Sequence, residues 1–146
     1  MMNRFLSLFL SALLFTACFP DSLSGEKSDE ADAFVGTYTF SAGANVTWGG
    51  DSGLVPTNGK FFISKTSANE VRISGYYSTT GTVDGKNLYM KAYTSSSSDG
   101  VCNYAFSVAT LSGKTLSFRV DEGGKLKYNG VLYPYTSTMN VTALRE

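Results

Sequence analysis

From Phe34 onward, apolar and polar residues alternate with a period of two in short runs, and the runs stop at Gly, Asn, Asp or Ser. That period belongs to extended chain with one dry face and one wet face, because successive side chains of a strand point to opposite sides. In "FVGTYTF" it places Phe34, Gly36, Tyr38 and Phe40 together, and in "EVRISG" it sets Val71 and Ile73 against Glu70, Arg72 and Ser74. "NLYMKAY" sets Leu88, Met90 and Ala92 against Tyr89, Lys91 and Tyr93, and "TLSFRV" alternates Leu116, Phe118 and Val120 with Thr115, Ser117 and Arg119. Asp84-Gly85, Ser112-Gly113, Gly123-Gly124 and Asn129-Gly130 read as the turns between such strands. Beyond the N-terminal apolar run, no segment sustains a 3.6-residue period, so no helix longer than two turns is expected. The fold class is all-β, an antiparallel meander of about eight or nine strands. Such strands can close into a barrel or fold as a β-sandwich, either of which limits exposed edges, and an up-and-down barrel is the favoured expectation.

Three of the turn signals are followed by lysine and a strand containing leucine, as "DGKNLYM", "SGKTLSF" and "GGKLKY". A phosphate-cradling loop needs a helix after its glycines, and none is patterned here. The repeat reads as hairpins with lysine at the turn exit.

The first residues follow another rule. Arg4 is followed by a run from Phe5 to Phe15, 11 residues broken only by Ser7 and Ser11. As a helix this run is roughly 16 Å long, too short for a hydrocarbon core of ~30 Å, so it reads as an export signal. The string Phe15-Thr16-Ala17-Cys18 resembles the lipobox of bacterial lipoproteins, with Phe15 where an aliphatic residue is usual. The resemblance implies that the signal is cut before Cys18 and that the sulfur of Cys18 carries diacylglycerol. Two or more acyl chains give stable anchoring, so a bacterial cell-envelope location at the outer membrane is expected, with the face left open. Residues 1–17 are thus read as signal peptide, 18–33 as lipidated Cys18 with a flexible acidic tether, and 34–146 as the all-β domain. Cys102, left without a disulfide partner, shares an alternating face with Tyr104, Phe106 and Val108 and reads as a small buried hydrophobe.

Charge and chemistry narrow the function. The domain has ten Lys and Arg to seven Asp and Glu, too small an excess to argue for nucleic acid. The chain has no histidine, which removes the commonest general base and metal ligand. Asp84, Asp99, Asp121 and Glu122 read as turn residues and no two acids are paired by pattern. The chain is therefore not expected to be an enzyme or to hold a metal or cofactor.

Aromatic residues make up 14% of the sequence. Trp48, Tyr76, Tyr77 and Tyr135 fall near expected strand ends and are the candidate contacts for a small apolar or sugar ligand. The alternative is docking on another envelope protein through Tyr89, Lys91 and Tyr93, taken as an outward face. Gly36-Thr37-Tyr38 on the first strand, with a hairpin meander behind a lipoprotein signal, resembles the lipocalin-like lipoproteins. Lipocalins carry Gly-x-Trp there; the single tryptophan of this chain is Trp48, expected on the next strand, and Arg145 is the loose counterpart of the arginine they place over theirs. The resemblance implies a barrel that binds a small apolar ligand inside.

Overall fold

The alternation builds a single antiparallel sheet in a computed structural model that describes residues 29–146. Cys18 and most of the expected tether lie outside the described residues. The strands are β1 (Gly36–Trp48), β2 (Asp51–Ser67), β3 (Glu70–Gly75), β4 (Thr79–Asp84), β5 (Asn87–Met90), β6 (Tyr93–Ser97), β7 (Gly100–Phe106), β8 (Ala109–Ser112), β9 (Thr115–Tyr128) and β10 (Val131–Arg145). Their order is β10-β1-β2-β3-β4-β5-β8-β9-β7-β6, and β10 also pairs with β9. The hydrogen-bond path therefore runs through eight strands and returns to its start, a barrel-like ring.

β5 with β6, and β7 with β8, are the two arms of one hairpin. Asn87↔Thr110 and Tyr93↔Tyr104 keep the same register on either side of an interruption. Ten strand segments thus follow the eight-strand plan. The interruption has a structural cause. On β9, Phe106 faces Val120 but Thr110 faces Ser117, so one extra residue sits in the inner arm as a bulge at Ser107-Val108. Ser107 anchors it, its N–H donating to Arg119 O at 2.9 Å and its Oγ accepting from Arg119 N at 2.9 Å.

A one-residue shift exchanges the faces of everything beyond it. Cys102 is buried and Tyr104 and Phe106 half-buried, and beyond the bulge the buried residues are Ala109 and Leu111; Val108 is 46% exposed, contrary to the unbroken alternation. The same exchange occurs at Lys91-Ala92. Leu88 and Met90 are buried, Ala92 is exposed, and Tyr93 stacks on Tyr104 with ring centroids 4.5 Å apart. Tyr93 is thus not part of an outward docking face.

Gly123-Gly124 is not a turn either. Both lie inside β9, where Gly124 faces Cys102, and a Cβ on Gly124 would come within 1.9 Å of Val101 O. Glycine there lets β7 approach. β1 likewise runs further than expected and ends at Trp48.

One end of the ring is closed. Residues 30–33, expected in the tether, and Phe34, expected on the first strand, form a 3-10 turn, Glu30–Phe34, that inserts Ala31 and Phe34 into the core. Tyr38 Oη donates to Phe34 O at 2.9 Å, Gly85 N to Glu30 Oε2 at 3.1 Å, and Lys65 pairs with Asp29 and Asp32. Arg145 Nη1 donates to Ala33 O at 2.6 Å, while its side chain lies over Gly36 and beside Tyr38. Above this cap Phe61, Ile63, Val71, Ile73, Val83, Leu88, Leu116, Val141 and Ala143 pack in the dry centre.

The turns at Gly49-Gly50, Ser98-Asp99 and Asn129-Gly130 form the far end, together with the β3–β4 connection. If the glycine of β9 is needed for strand approach, Gly124→Ala must push β7 away. Urea unfolding of the full-length chain is expected to show a loss of about 1–3 kcal/mol, the usual cost of forcing extra volume into packed structure; an unchanged midpoint would refute the strand-approach role.

Candidate functional site

Residues facing the inside of the ring are dry near the cap and become wetter toward the far end. Tyr38, Phe61, Val71, Leu116 and Val141 are buried, whereas Val46, Thr57, Tyr93, Tyr104, Glu122 and Tyr135, on the same inner face, are half-buried. Water therefore enters the ring from the end opposite the cap. The boundary is made by the β3–β4 connection, which folds inward.

Gly75 starts that inward turn at φ 105°, a left-handed conformation that glycine adopts without the steric cost met by other residues. Tyr76 N donates to Lys60 O at 3.0 Å and fixes the exit from β3. Tyr77 then enters the ring with no exposed surface. Its centroid lies 5.4 Å from that of Phe106, 5.8 Å from Phe118, 5.9 Å from Phe61 and 6.1 Å from Phe40. Tyr76 packs on it edge-on at 4.9 Å. Among the described residues, the Tyr77 hydroxyl is the one buried side-chain polar atom without a hydrogen-bond partner. Leaving such a group unpaired costs about 1–3 kcal/mol.

Directly beyond Tyr77 the ladder sets a row of inner-face residues. Tyr93 faces Tyr104, Tyr104 faces Glu122, Glu122 faces Ser137 and Ser137 faces Val46. Glu122 is the acid of this row, and Tyr135 Oη donates to its Oε2 at 2.8 Å. The carboxylate is near enough to raise the phenol pKa of Tyr76, Tyr77, Tyr93, Tyr104 and Tyr135, in each case adding to a larger effect of burial. Burial likewise raises the Cys102 thiol. Five phenols and a thiol, all held neutral, thus surround one carboxylate.

The neighbouring acid shows what is unusual here. Asp121 points the other way, is gripped by Arg119 at 2.7 Å and Thr138 at 2.9 Å, and is held below the usual carboxylate range, first by its Arg119 hydrogen bond. Glu122 has no cationic partner among the described residues. A shallow groove of about 540 Å³ lies over β6, β7 and β9, lined by Tyr93, Tyr104 and Glu122 of the inner face and by Thr94, Asn103, Ala105 and Asp121 of the outer face. Of its two acids, Asp121 is paired with Arg119 and Glu122 with no cation among the described residues.

The four aromatic residues singled out from the sequence separate into two places. Tyr76, Tyr77 and Tyr135 converge around Glu122. Trp48, 38% exposed, faces Tyr135 across the ladder, yet its ring packs on Tyr128 at 5.5 Å and Tyr133 at 6.3 Å, toward the hairpin tips. Glu122, Tyr93 and Tyr104 were not anticipated. The signal for Glu122 lay in the alternation of Leu116, Phe118 and Val120, which continues in phase through Glu122 once Gly123-Gly124 is not read as a turn. No three His, Cys, Asp or Glu are grouped to hold a metal among the described residues. Compared with protein-family models, curated proteins and solved structures, the chain matches none of them.

Because the Tyr77 hydroxyl is buried without a partner, Tyr77→Phe is expected to raise unfolding free energy by about 1–2 kcal/mol in the ligand-free protein, whereas Tyr77→Ala lowers it by about 3–5 kcal/mol. Thermal and urea melts of the two variants check both signs.

Proposed function

We propose that this chain is a non-catalytic binding module, anchored to the bacterial cell envelope through lipidated Cys18, that holds a small ligand inside the open end of its β ring. The observation that carries this reading is the half-buried inner face around Glu122, where tyrosine rings and hydroxyls meet solvent above a buried, unpaired Tyr77 hydroxyl. A ligand there has aromatic faces for an apolar or saccharide body and a few fixed polar groups to orient it, the usual make-up of a small-molecule site. The lipocalin-like pattern of Gly36, Tyr38 and Arg145 agrees with this reading, since Arg145 lies over Gly36 and beside Tyr38 at the closed end.

A second reading is docking on an envelope protein. It is favoured by the tips of the β1–β2 and β9–β10 hairpins, where Leu54 is 69% exposed and Tyr128, Val131 and Leu132 are also exposed.

Native mass spectrometry of the full-length chain, purified from its own host in mild detergent, tests the first reading. Mass beyond the polypeptide and its acyl chains, released by organic solvent and missing from a folded Tyr104→Ala variant, is the expected result. A bare mass, with crosslinks in intact cells from the hairpin tips to one partner, would favour the second. Anchoring is tested separately: Cys18→Ser is expected to leave the membrane fraction, and its persistence there would contradict lipidation.

A further inference from the structure

The inner wall at this level is electrostatically one-sided. It carries the Glu122 carboxylate and, among the described residues, no lysine or arginine. On β9 the alternation sends Arg119, Lys125 and Lys127 to the face opposite Glu122, and Lys60 is committed to Glu146 at 2.8 Å. Tyr135 satisfies one carboxylate oxygen with a neutral hydrogen bond. A partly buried carboxylate gains most from a charged donor, because charge-assisted hydrogen bonds are about twice as strong as neutral ones. Aromatic faces favour the same sign, since the ring quadrupole attracts cations. The stacked pair Tyr93–Tyr104 stands next to Glu122 on the ladder, and all three residues line one groove.

We propose that the ligand is a small primary amine bound as its ammonium ion, with its N–H groups donating to the Glu122 carboxylate and its body lying against Tyr93 and Tyr104, which line the same groove. A quaternary ammonium fits less well, because it has no N–H to donate to the carboxylate. An anion is excluded by the sign of the wall. A neutral ligand leaves the charge of Glu122 without a counterpart. This inference rests on the binding reading above and specifies the chemistry of that site.

Isothermal titration of the full-length chain with 2-phenylethylamine and with its neutral counterpart 2-phenylethanol tests it. The amine is expected to bind at least about tenfold more tightly than the alcohol, as befits a hydrogen bond to a charged group. Glu122→Gln should remove that preference while leaving the alcohol unaffected. Glu122→Ala, which also removes the charge, should do the same, and it decides the matter if Glu122→Gln does not fold. Equal affinity for amine and alcohol, or unchanged amine affinity in the folded variants, overturns the amine assignment and leaves the binding module standing. Binding of neither probe also overturns the assignment, and the mass measurement on host-purified protein then decides whether the module itself fails.

Discussion

The ring of Tyr77 is the contact on which the rest of the interior depends. It comes from a connection between two short strands, yet it sits among Phe40, Phe61, Phe106 and Phe118, side chains drawn from four different strands of the ring. Aromatic pairs of this kind are worth about 0.5–1.5 kcal/mol each beyond the area they bury. Tyr77 therefore ties the short side of the ring, β3 and β4, to the tall side, β7 and β9. It also divides the interior: the side toward the cap is dry and tightly filled, and the side toward the hairpin tips is tyrosine-lined and wet. Pairing of β10 with β9 closes the ring, while among the described residues β6 and residues 51–60 of β2 each keep one edge unpaired toward the hairpin tips.

Two consecutive acids show how a strand turns sequence into chemistry. Asp121 and Glu122 differ by one position and so by one face. On the outer face Asp121 meets Arg119 and Thr138 and is spent on surface structure. On the inner face Glu122 meets phenols. Burial and the Glu122 charge act in the same direction on these phenols, so all of them remain neutral over the ordinary pH range. The site can donate and accept hydrogen bonds and carries one carboxylate, held by the Tyr135 hydroxyl.

Much of the fold was legible in the sequence, and the misses have one cause. Tyr38, Phe40, Val71, Ile73, Leu116, Phe118 and Val120 occupy the buried face that period two assigns to them, whereas Phe34, expected on the first strand, is buried from the 3-10 turn before it. The turns at Gly85, Gly113 and Asn129-Gly130 fall where glycine and asparagine mark them. What alternation does not reveal is a change of phase. The bulges at Ser107-Val108 and Lys91-Ala92 exchange faces without a marking glycine or proline, which is why Tyr93 and Val108 sit opposite to expectation. Gly123-Gly124 misled in the other direction, because glycine serves close strand approach as well as turns, and this concealed Glu122. Tyr77 is aimed by the positive φ of Gly75, which sequence spacing does not specify.

The claim that Tyr77, with its hydroxyl fully buried, separates the dry core from the half-exposed, tyrosine-lined end is tested most directly by following each tyrosine ring carbon by NMR as pH is raised. The phenol pKa of Tyr77 is raised above 10.0 in the folded state, chiefly by burial, so folding favours its neutral form. Stability is then complete below the ordinary phenol value and falls as pH rises beyond it, where the unfolded chain ionises and the folded chain resists. The account predicts that the Tyr77 signal shows no titration of its own and changes only when the whole protein unfolds in base. A Tyr77 signal that titrates near the ordinary phenol value while the fold persists would contradict it.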